Sequence, residues 1–65
     1  MTQRGRTKVL TVLGKRGYNL VQTYGHQEIG YGAIMQTPGG NIIDLFCKWD
    51  VRDTLGKELA ELAFS

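Results

Sequence analysis

A chain of 65 residues with a single cysteine, Cys47, must hold its fold together without covalent help. A core of this size supplies only about 3–5 kcal/mol of net stability, so small domains commonly add disulfides, a metal or a partner. One cysteine rules out an intrachain disulfide and a cysteine zinc cluster, and His26 is the only other soft ligand. Two routes remain: an efficient core, or burial against a second chain. Residues 1–65 therefore read as one domain, with no metal or cofactor expected.

A lone free cysteine fits a reducing compartment. The longest apolar run near the start, Val9-Leu10-Thr11-Val12-Leu13, is broken by a threonine. A secretory core needs roughly 7–15 apolar residues and a membrane span about 20. The expectation is a cytoplasmic protein with no membrane contact.

Charge is distributed unevenly. Residues 1–24 hold Arg4, Arg6, Lys8, Lys15 and Arg16 and no acid, a net of +5. Residues 25–65 hold six acids against three bases, a net of −3. A basic half of this kind suits contact with a polyanion, although scattered cations also serve solubility.

The C-terminal third reads as a helix over 51–63. Asp50 can cap it, Asp53 suits the first turn, and Val51, Leu55, Leu59, Leu62 and Ala63 recur at helical spacing. Gly56 interrupts the stripe at a cost of about 1 kcal/mol. Ahead of it, Ile29–Thr37 and Asn41–Lys48 flank Pro38-Gly39-Gly40 and read as a hairpin with a type II turn. Thr7–Leu13 and Tyr18–Tyr24 flank Gly14-Lys15-Arg16-Gly17. Their β-branched content favours a second hairpin with Gly17 left-handed. Two short helices remain open, because residues 6–13 hold no Gly or Pro. The expected fold is α+β: a small antiparallel β-meander of about four short strands with one C-terminal helix packed on one face.

One helix covers one face of a sheet. With Ile43, Leu45, Cys47 and Trp49 turned toward it, Ile34, Ile42 and Phe46 point away. An apolar patch of that kind marks an interface with another chain, either a second copy or a larger protein. A strongly curled sheet covered by the N-terminal residues is the alternative.

Catalytic chemistry finds little to use. His26 is the only imidazole and reads as a loop residue. Cys47 reads as a packed thiol, and Asp50 and Asp53 as helix-start residues. A small-molecule substrate is not expected in so short a chain, which has little room for a pocket of about 300–1,000 Å³. Val12-Leu13-Gly14-Lys15-Arg16-Gly17-Tyr18-Asn19-Leu20 resembles the loop of KH domains, which implies backbone amides and basic side chains holding nucleotide phosphates. A tight hairpin turn explains the same residues, and only 13 residues precede Gly14 where a KH domain has a strand and a helix. Gly30-Tyr31-Gly32-Ala33-Ile34 resembles, more faintly, the aromatic strand of RNA recognition motifs. Ala33 stands where a second ring belongs, so these glycines read as a bulge or a close approach.

The functional expectation is a non-enzymatic regulatory module, acting as a homodimer, that contacts DNA or RNA through its basic half. Arg4, Arg6 and Lys8 form an arm, Lys15 and Arg16 reach phosphates, and Tyr18 stacks or donates a hydrogen bond. The alternative is a small protein-directed inhibitor or adaptor, of the kind phages and mobile elements encode. It would dock through Ile34, Ile42 and Phe46 or through an edge strand.

Overall fold

A computed structural model describes all 65 residues. The chain runs helix, three strands, two helices: α1 Gln3–Lys15, β1 Asn19–His26, β2 Gly30–Gln36, β3 Ile42–Leu45, α2 Lys48–Leu55 and α3 Lys57–Ala63. It is α+β, but with three strands in place of four and three helices in place of one.

The largest correction concerns residues 7–13, which are helical. The Thr2 side chain caps α1 by accepting the Gly5 N–H at 2.9 Å. Gly5, Val9 and Leu13, four residues apart, make the buried stripe. Thr7 and Thr11 fit the helix by donating their hydroxyls to the carbonyls of Gln3 and Thr7, at 3.2 and 2.9 Å. Gly14 and Lys15 belong to the end of this helix, so the KH-like string is not a loop between strands. Gly17 has φ +88°, the left-handed value expected of it.

The sheet has the order β1-β2-β3, antiparallel throughout, with a bulge between Leu20 and Gln22. At the Pro38-Gly39-Gly40 turn, Gly40 has positive φ (+93°) and Gly39 does not. Gly40 N–H donates to the Thr37 carbonyl at 2.9 Å. This is a type I turn closed by a left-handed glycine, not type II. His26 ends β1 and is not in a loop; the turn that follows is residues 27–29.

The expected 51–63 helix starts earlier and is broken. Cys47 is the N-cap of α2, and Asp50, three residues on, accepts the Cys47 N–H at 3.3 Å. Gly56, at φ +102°, turns the chain so that α3 begins in a new direction. Cys47 and Trp49 therefore leave the sheet and are exposed, Trp49 by 65%.

The core lies between the sheet and the helices. Val9 and Leu13 of α1, Ala33, Met35 and Leu45 of the sheet, Val51 of α2, and Leu59, Ala60 and Ala63 of α3 pack together, with Met1 beside them. Alternate positions of β2 and β3 feed it, so the opposite face of the sheet carries no core residue. No helix is long and apolar enough to cross a membrane.

Candidate functional site

The basic residues expected to form an arm lie on α1. At 3.6 residues per turn, Arg4, Lys8 and Lys15 fall within about 40° of one another and span about 16 Å of helix axis. All three are exposed, as is Arg16 at the C-cap. Arg4, Lys8 and Lys15 form a cationic ridge well away from the Gly5-Val9-Leu13 stripe, whereas Arg16 lies about 100° round the axis from Lys15, in a groove lined also by Glu58 and Glu61 of α3. The first turn of α1 holds no acid. Arg4 and Arg6 sit there against the helix dipole, a placement that fold stability alone disfavours.

Arg6 does not join the ridge. Its Nη1 donates to the carbonyls of Tyr24 and Gly32 at 3.1 and 3.2 Å, and its guanidinium lies 5.0 Å from the centre of the Tyr31 ring. It ties α1 to the β1–β2 pair and is occupied. Tyr18 is half-buried and packs against the core, so it is not a presented ring. Sequence reasoning could not separate Arg6 from Arg4 and Lys8 while the segment was read as extended. Helical phase separates them at once.

The second candidate surface is the open sheet face. Ile34 and Phe46 are half-buried and Ile42 is 61% exposed. The sequence did not single out Tyr24, which organises this face. Its ring lies across Gly32, where a Cβ would come within 2.5 Å of the ring. It packs parallel to Phe46, with centroids 5.7 Å apart and planes 7° apart. Its hydroxyl donates to Asp44 Oδ1 at 2.5 Å. Gly32 thus makes room for a side-chain ring rather than for the bulge or close backbone approach that the strand glycines suggested, and a larger residue there would displace the ring.

Burial of the Tyr24 hydroxyl raises its pKa, and the hydrogen bond to Asp44 and that carboxylate's charge raise it further, to about 12. The folded state therefore holds this proton more tightly than the unfolded chain, whose tyrosine titrates near 10.0. The stability it contributes is complete below pH 10 and drains away as the pH rises toward 12. A phenolate absorbance titration should show one tyrosine titrating near pH 12. Asp44→Asn should bring that midpoint down, and an unchanged midpoint would exclude the Asp44 bond as a contributor.

An open cleft of about 590 Å³ lies at one end of the sheet, although sequence length suggested little room for one. Met1, Ile29, Tyr31, Phe46 and Phe64 give it an apolar lining. Beside it the Met1 ammonium donates to the carbonyls of Tyr31 and Phe46 at 2.7 and 2.5 Å. Burial lowers the pKa of this amine from its ordinary 8.0; the charge of Cys47 opposes that shift and the charge of Arg6 adds to it. Cys47 stands exposed at the rim, not packed as its strand reading implied. The His26 ring accepts the Glu28 N–H at Nδ1, 3.2 Å away. No group of three or more His, Cys, Asp or Glu side chains gathers where it could hold a metal ion.

No protein-family model, curated protein or solved structure matches the chain.

Proposed function

We propose that the protein is a non-enzymatic regulatory module that binds DNA or RNA through the outer face of α1. The observation that carries this reading is the ridge: Arg4, Lys8 and Lys15 on one exposed helical face, within 24 residues that contain no acid. Contacts of this type go to phosphates. They fix position and leave sequence unread, so the binding follows backbone shape rather than base identity. The ridge replaces the extended arm expected from the sequence, and Arg6 and Tyr18 drop out of it.

Up to three phosphate contacts imply a slope of log K against log salt of about −3 on duplex DNA. Micromolar binding at low salt with that slope is the expected anisotropy result. The double reversal Lys8→Glu/Lys15→Glu changes two exposed side chains and should leave the circular dichroism spectrum intact. It should abolish binding and flatten the salt dependence. Absence of binding by the wild-type protein at low salt would sink the reading.

A second reading, a protein-directed inhibitor or adaptor, draws on the exposed Ile42 beside Ile34 and Phe46. It places the sensitive substitutions on the sheet face, and reversals on α1 would then only slow association.

A further inference from the structure

The open sheet face is ordered in rows. Strand register sets Gln22, Ile34 and Asp44 side by side, and Asn19, Gln36 and Ile42 in the next row. Tyr24 pairs with Gly32, and Phe46 follows Leu45, the partner of Ala33. That places the two parallel rings on either side of Gly32. Among these nine positions the only formal charge is Asp44. Aromatic residues with few charges are the composition of a protein interface core. Surfaces that hold nucleic acid are strongly positive, which this face is not. The Tyr24 ring fills the space over Gly32, where a side chain would otherwise stand.

We propose that a second copy of the chain closes this face, packed sheet on sheet about a twofold axis running along β2. Such an axis lays β1 of one copy over β3 of the other, so every row meets itself reversed. Tyr24 then faces the partner's Phe46, and Ile34 meets the partner's Ile34 at the axis. Gln22 faces the partner's Asp44, giving the one carboxylate an amide donor. A twofold axis across the strands, laid through the same row, would instead set the two Asp44 carboxylates against each other, which like-charge repulsion disfavours.

The face measures about 14 by 20 Å at ordinary strand spacing, and stacked sheets sit about 10 Å apart. The interface would bury on the order of 800–1,000 Å² in total, below the standard size and in the range of weak, transient association. It also supplies the burial that ten core residues and no crosslink leave wanting. The α1 ridges end up on opposite outer surfaces, both free. The proposal stands whether or not those ridges bind nucleic acid.

Sedimentation equilibrium up to about 0.5 mM protein tests it, since a weak interface saturates well below that concentration. The wild-type chain should fit a monomer–dimer equilibrium. Ile34→Glu places two carboxylates at the axis and should weaken the dimer by tenfold or more. Position 22 is exposed, so its variants should fold, with circular dichroism as the check. Gln22→Glu, opposite the partner's Asp44, should loosen the dimer, and Gln22→Lys should tighten it. A chain that stays monomeric across the range overturns the proposal and leaves the face to a different partner. So does a dimer indifferent to Ile34→Glu and to the sign of charge at position 22.

Discussion

Gly5→Ala should destabilise the protein by about 2–3 kcal/mol, while Gly14→Ala in the same helix should stabilise it by up to about 1 kcal/mol. A Cβ at Gly5 would overlap the Ala63 carbonyl and crowd Thr2 Oγ1. That carbonyl is backbone, fixed by bonds from the Thr2 N–H and hydroxyl at 3.2 and 3.3 Å, so α1 and α3 would have to separate. The better helix propensity of alanine offsets only part of the cost. At Gly14 nothing lies within 4 Å of the added methyl, and the propensity term acts alone. Thermal unfolding of the two variants should shift the midpoint in opposite directions. Equal shifts would mean that α1 and α3 do not touch at Gly5.

Leu45→Ala should cost about 2–5 kcal/mol, the range for emptying a fully buried leucine site. Leu45 is 0% exposed and stands opposite Ala33 in the sheet. Against a total stability of about 3–5 kcal/mol for a domain this size, that loss leaves the variant marginally stable, with its unfolding midpoint strongly lowered. Urea unfolding followed by tryptophan fluorescence measures it. A wild-type-like midpoint would mean that the strand exchanges its faces, with Leu45 turned outward.

Leu45 and its neighbours were legible in the sequence because β2 and β3 alternate, with Ala33, Met35 and Leu45 inward and Ile34 and Ile42 outward. The C-terminal stripe was legible too, but not its break. Gly56 reads as a tolerated defect until its positive φ is known. The N-terminal segment was misread because Thr7, Val9, Thr11 and Val12 carry strand propensity. Tertiary burial of Gly5, Val9 and Leu13 outweighed it, and the two threonine hydroxyls are accommodated by bonds to carbonyls four residues back. Of the site residues, Arg16 lies round the helix, near Glu58 and Glu61, while Arg4, Lys8 and Lys15 come together on one face. Arg6 and Tyr18 do not, because their partners, two strand carbonyls and the core, are distant in sequence. Tyr24 left no local signal: its importance comes from Gly32 and Asp44 on two other strands.

The bond from Thr2 to Ala63 joins positions 61 residues apart. Closing a loop of that length costs about 3–4 kcal/mol of chain entropy, against far less for the short β1–β2 turn. The hairpin can therefore form early and alone. The first helix cannot settle then, because the backbone it rests on belongs to the last helix. Val9 and Leu13 therefore stay uncovered until α3 has docked, and the first and last helices complete the fold together.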